Sequence, residues 1–171
     1  TGGVGYTHEL PQKDWKPESQ LTLMDTWGRT DSQETIGVSP AMFAEFVLQY
    51  QIPILKKFGL NCYGCCEPIQ DRWQFIKEVP NLRKLSVSPW CDQEKMADYL
   101  GKSYIFSRKP NPSPICTDFD EEIIRKDIRN TLKIAKDNVL EIILKDTHTV
   151  RNQPGRITRW VEIARQEVDS F

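Results

Sequence analysis

"LNCYGCCEPIQDRWQFIKEVPNLRKLSVSPWCDQEKMADYLGKSYIFSRKP", residues 60–110, repeats one grammar three times: a short strand-like run, a polar turn, then a helical pattern or a proline stop. LNCYGC, LRKLSVSP and SYIFSRKP read as buried strands, and PIQDRWQFIKEV and DQEKMADYLG as the helices between them. Strands that alternate with helices imply βαβ units and a parallel sheet.

The grammar continues on both sides. Upstream, SPAMFAEFVLQYQIPILKKFG places Ser39 as an N-cap and Pro40 at the first helical position. Phe43, Phe46, Val47, Tyr50 and Ile54 follow at helical spacing, Pro53 predicts a kink, and Gly59 a stop. Downstream, DFDEEIIRKDIRNTLKIAKD sets Ile124, Ile128, Leu132 and Ala135 on one face, with acids first and bases later as the helix dipole prefers. VLEIILKDT is the last strand, and PGRITRWVEIARQEV the last helix. Residues 1–38 lack a sustained period and are expected to be irregular; only LTLMDTW within them could form a short strand. GGVG near the start lacks the lysine and the helix of a phosphate-binding loop.

The domain at 39–171 is therefore expected to be α/β, with about four parallel βα units. A complete (β/α)8 TIM-type barrel takes about 250 residues, so the expectation is its carboxyl-terminal half, a fragment of a longer chain. An open doubly wound sheet is the alternative, without the glycine fingerprint of dinucleotide folds. Four strands would leave two open edges, which predicts either cover from the first forty residues or association of two copies.

Composition narrows the function classes. The 171-residue chain has a net charge of −1, which gives no footprint for nucleic acid or an anionic membrane. No apolar run reaches the length of a membrane span. Five cysteines, an odd number at low density, suit free thiols in a reducing cytoplasm.

Ligands of parallel α/β folds sit at the carboxyl ends of the strands. That rule selects CYGCCEP, SVSPWCD, SRKPNPSPI and KDTHTV. Cys62, Cys65, Cys66, Glu67, Cys91 and His148 lie there, and thiolate, imidazole and carboxylate are zinc donors. A single C-x-x-C without a second knuckle does not make a zinc ribbon, and a redox pair would open a helix. Burial as small apolar side chains is the competing reading of the same cysteines. Strand alternation places Cys62 and Cys66 on one face and Cys65 on the other, unless the turn before Pro68 undoes it. His148, beside Asp146, is a candidate ligand or acid–base group, or a hydrogen-bonded packing residue; His8 reads as solvated. Arg108 and Lys109 either pair with an anionic substrate group or belong to a surface loop. Tyr63 and Trp90 either line a pocket or pack in the core.

These strand ends resemble the carboxyl-terminal half of the uroporphyrinogen decarboxylase-like superfamily, over about residues 39–169. ILKDTHTVRNQPGRITRWVEIA looks like its last strand and helix, with His148 on the histidine of a Gly-His-Gly motif and threonines in place of both glycines. YIFSRKPNPSPI is similar to the preceding strand, and LNCYGCCEP occupies the place of the His-x-Cys zinc motif of the methyltransferase branch. The spacing here is Cys-x-x-Cys-Cys-Glu, and His148 stands where a third ligand is usually a cysteine. The resemblance implies a zinc-dependent methyltransferase working with a separate corrinoid protein and a small-molecule methyl donor or acceptor. Zinc would be held by Cys65, Cys66, Glu67 and His148, with Cys62 a further candidate. His148 and Asp146 would be catalytic, and Tyr63, Trp90, Arg108 and Lys109 would meet substrate. A decarboxylase-like lyase with His148 as acid–base group and a non-catalytic binding or assembly domain are the alternatives. In every case the fragment alone is expected to be inactive.

Overall fold

The computed structural model describes Glu9, Pro11, Asp14 and residues 16–171; His8 and the GGVG segment lie outside the described residues. Five strands form one all-parallel sheet in chain order: β1 (Trp27–Thr30), β2 (Leu60–Tyr63), β3 (Leu82–Val87), β4 (Ile105–Arg108) and β5 (Val139–Ile142). The strand order never reverses. Parallel crossovers are right-handed, so an order without reversal carries the connecting helices on one face.

The fifth strand corrects the expectation of four. WGRT lies inside the segment read as irregular, where four residues and a glycine give little period to see. Gly28 is there for contact: a Cβ would stand 2.2 Å from Asn61 Oδ1 and 2.7 Å from the Phe58 ring. Asn61 is itself fully buried and donates to the carbonyls of Leu55 and Pro80, so it cannot yield.

The first helix begins as the sequence predicts, with Ser39 Oγ accepting from Met42 N at 3.2 Å and Pro40 in the first turn. It widens into a π turn at Ala44–Leu48 and resumes as Gln49–Leu55, with Pro53 inside. The expected helix at 68–79 is shorter, a 3-10 turn at Gln70–Arg72 leading into Trp73–Ile76. Asp92 and Asp120 cap the helices Gln93–Leu100 and Glu121–Ile134, each side chain accepting from a backbone N–H three residues on. The last helix is Gly155–Asp169, tied to Glu121–Ile134 through Glu167, which accepts from Arg125 at 2.7 Å and Arg129 at 2.5 Å. Among the described residues no helix is long and apolar enough to cross a membrane.

The two faces of the sheet differ. Tyr63, Leu85, Val87, Phe106 and Leu140 pack with Phe43, Leu55, Ile76, Met96 and Leu100 in the main core, which is the helix side. A second cluster of Ile115, Ile124, Ile128, Leu132, Trp160 and Ile163 joins the last two long helices. Alternation puts Cys62, Lys84, Ser86, Ser107 and Glu141 on the opposite face. Pairing aligns Cys62 with Lys84, and Ser86 with Ser107 and Glu141. Ser107 Oγ donates to Glu141 Oε1 at 2.6 Å, and Lys84 Nζ reaches the same carboxylate at 3.3 Å. Doubly wound sheets are apolar on both faces. This one is apolar under its helices and polar on the other side.

Candidate functional site

The site is assembled by what each strand does as it ends. β2 ends at Gly64, whose φ of 93° is open to glycine and strained for other residues. That turn breaks the strand's alternation, so the side chains of Cys65 and Cys66 come together with Sγ–Sγ at 3.6 Å. Cys65 is buried and Cys66 half-buried. Burial, then the Cys65 thiol beside it, pushes the Cys66 thiol above the ordinary range, while the Lys145 ammonium draws it back.

Glu67 has no exposed surface, and its two oxygens are engaged by backbone: Oε1 accepts from Ser32 N at 2.8 Å and Oε2 from Cys65 N at 2.9 Å. Arg72 extends this bracket. It donates to Ser32 Oγ at 3.0 Å, to the Thr35 carbonyl and to the Val38 carbonyl at 3.2 Å, with Phe43 under its guanidinium. The loop after β1 is thereby bound to the loop after β2.

Beyond β3, Ser88 and Cys91 are buried; Cys91 Sγ lies 3.5 Å from Ser88 Oγ and 3.7 Å from the Glu67 carbonyl. Burial pushes the Cys91 thiol up. Trp90 is 60% exposed, and Lys145 Nζ stands 5.7 Å from its ring centre. Beyond β5, Lys145 donates to Asp146 Oδ1 at 2.9 Å, and the same oxygen lies 3.9 Å from Cys66 Sγ. Burial would lower Lys145, but its bonds to Asp146 and Cys66 outweigh that and hold it protonated; Lys145 in turn holds the Asp146 carboxyl below its ordinary range. His148 Nε2 is 3.5 Å from Asp146 Oδ2, with its side chain 92% exposed.

Arg108 and Lys109 part company at the end of β4. Arg108 turns to the helix layer, donating to the Ser88 carbonyl at 2.9 Å and to Asp127 at 3.1 Å. Lys109 turns to the polar face, with Nζ 3.3 Å from the Cys65 carbonyl. Cys62 lies further down that face. Burial raises its thiol pKa, and the charges of Lys84, Arg29 and Lys109 oppose the rise.

The strand ends thus gather Cys65, Cys66, Trp90, Lys109, Lys145, Asp146 and, on the rim, His148. Tyr63 is not part of this mouth. It is fully buried on the helix side, donating to Gln51 Oε1 at 3.0 Å with Ser32 Oγ 3.3 Å away, and burial pushes its phenol far up. Lys145 is the participant that sequence reading passed over as a site residue, although it is the first residue of the KDTHTV segment already selected.

Two thiolates at about 2.3 Å from a zinc ion and at the tetrahedral angle stand about 3.8 Å apart. The Cys65–Cys66 spacing fits that bite. Among the described residues no group of three or more His, Cys, Asp and Glu side chains is gathered to hold a metal ion. The four residues expected as ligands are not assembled as one set: Glu67 is bonded to backbone, and His148 points into solvent beside Asp146.

The fold and these strand ends define an α/β protein with a sequential parallel sheet and a thiol-and-lysine mouth at its carboxyl edge. Neither family models, nor curated proteins, nor solved structures gave a match to the chain.

Proposed function

We propose that the chain is the carboxyl-terminal part of a (β/α)8 barrel that transfers methyl groups between a small molecule and a separate corrinoid protein. The observation that carries the reading is the Cys65–Cys66 pair at 3.6 Å, at the carboxyl end of a central strand, with the Asp146 carboxylate 3.9 Å from Cys66. The unreversed strand order and the polar sheet face support the barrel: in a barrel wall the helices lie outside, and the other face lines the interior.

Cys65 and Cys66 would hold zinc, with Asp146 the next donor at hand. When bound there, zinc supplies a Lewis acid that lowers the pKa of a thiol acceptor or polarises a methyl-donor heteroatom. The methyl moves as a cation equivalent: the acceptor's lone pair forms the new bond, and the leaving atom keeps the pair of the broken one. Lys145 offsets the charge of thiolate at Cys66 and fixes Asp146 through its hydrogen bond. His148, on the rim and 3.5 Å from Asp146, exchanges protons with solvent. Trp90 offers an exposed apolar ring where the corrinoid protein docks over the mouth. Among the described residues the outer edges of β1 and β5 carry no paired strand, and in a barrel these are the edges that the remaining strands would join.

Metal analysis tests the reading. Wild type should carry close to one equivalent of zinc, and Cys65→Ala and Cys66→Ala should lose it. Zinc below about a tenth of an equivalent, unchanged by either substitution, removes the mechanism.

A further inference from the structure

Lys109 is 6% exposed, and its ammonium has one hydrogen-bond partner among the described residues, the Cys65 carbonyl at 3.3 Å. No carboxylate of a described residue forms an ion pair with it. Cations gather on the face it occupies: Arg29, which pairs with Asp31 at 3.7 Å, Lys84 and Lys109 all act on the Cys62 thiol, and Glu141 opposes them. Glu141 is the one acid in the five strands, and Lys84 and Ser107 already engage it. The Cys65 carbonyl is shared as well, since Ser86 Oγ donates to it at 2.7 Å. A buried ammonium held by one shared carbonyl is costly unless a negative charge completes its surroundings.

We propose that Lys109 anchors the carboxylate of a small organic ligand entering at the carboxyl ends of β2 and β4, beside the Cys65–Cys66 pair. The donor set selects a singly charged group. Arg108 is committed to Asp127 and Ser88, and Lys145 to Asp146. The helix that follows β4, Ser113–Cys116, has four residues and adds no sizeable dipole for a phosphate dianion. The inference names the substrate class at the site proposed above; it rests on that reading for the reaction, and on the burial of Lys109 for the binding.

Thermal unfolding of the full chain, freed of metal with a chelator and held at low ionic strength, tests it with sodium acetate and sodium glycolate as probes. Inorganic phosphate and chloride at matched ionic strength are the comparisons. Wild type should show a saturable rise in Tm with acetate and glycolate that phosphate and chloride do not reach. Lys109→Met should fold, melt higher than wild type without anion, and show no response to acetate. Lys109→Arg, which keeps the charge, should keep a response. A wild type indifferent to acetate, a response that survives Lys109→Met, or a larger rise with phosphate overturns the proposal. So does failure of Lys109→Met to fold while Lys109→Arg folds without a carboxylate response, which makes the charge structural. Zinc content measured on separate, unchelated samples keeps the two ideas apart: no zinc with an intact acetate response sinks the metal reading and leaves this one standing.

Discussion

Removing the Glu67 carboxylate should open the bracket between the first two strand-end loops. Glu67→Ala strips two buried N–H groups, those of Ser32 and Cys65, of their acceptors. Each bond to a charged acceptor contributes about 1.5–3 kcal/mol net, so the expected loss is about 3–6 kcal/mol. For a chain of this size that lowers Tm by roughly 6–24 °C. Glu67→Gln keeps one oxygen and turns an NH2 toward the other N–H, and should cost about half as much. Ser32→Ala keeps its own backbone bond to Glu67 but loses the hydroxyl that meets Arg72 and Tyr63, and should cost about 1–2 kcal/mol. Urea unfolding, with the m-value checked for constancy, gives all three numbers. A loss below about 1 kcal/mol for Glu67→Ala, or a Gln variant as damaged as the Ala variant, would refute the bracket.

On the polar face, Lys84→Met leaves the Glu141 carboxylate without its cation and should cost about 2–4 kcal/mol, while Lys84→Met with Glu141→Leu should recover most of it. A double-mutant cycle with no coupling would contradict the pairing. Alkaline pH should weaken the fold through Cys62 and Cys91, whose native pKa values burial raises. Below the ordinary thiol range both states keep their protons and stability is flat. Above about pH 8.5 the unfolded chain loses protons that the native state retains, so stability falls by up to about 1.4 kcal/mol per pH unit per thiol. Chemical denaturation between pH 8 and 10 should show that slope, and the Cys62→Ala/Cys91→Ala variant should flatten it. Met42, Phe46, Tyr50 and Ile54, four residues apart, are all exposed on the first helix. Phe46→Glu should change monomer stability by less than about 0.5 kcal/mol and reduce self-association in sedimentation velocity; unchanged association would detach that stripe from any contact between copies.

The βα alternation was legible because each long helix carries its own apolar period, and Ser39 with Pro40 marks the start of the first. β1 was not: what makes WGRT a strand is the fit of Gly28 against Phe58 and Asn61, residues about thirty positions away. At the site, the strand-end rule located the thiols, but parity could not survive Gly64, whose turn brings Cys65 and Cys66 to the same side. Glu67 looked like a donor for a metal because a sequence states the charge of a carboxylate and not its hydrogen bonds. Arg108 and Lys109 looked equivalent for the same reason. One residue of strand phase separates a guanidinium spent on Asp127 from an ammonium turned to the polar face.

Because strand order equals chain order, every strand pairs with the one made just before it. A chain emerging from the ribosome never has to hold a strand in reserve for a later insertion between two others. Each new unit can dock on a finished edge, so the pairings stay local and the loop-closure cost is met in small steps. During synthesis the growing edge is also the exposed one, the stretch of backbone most open to mispairing until the next strand arrives.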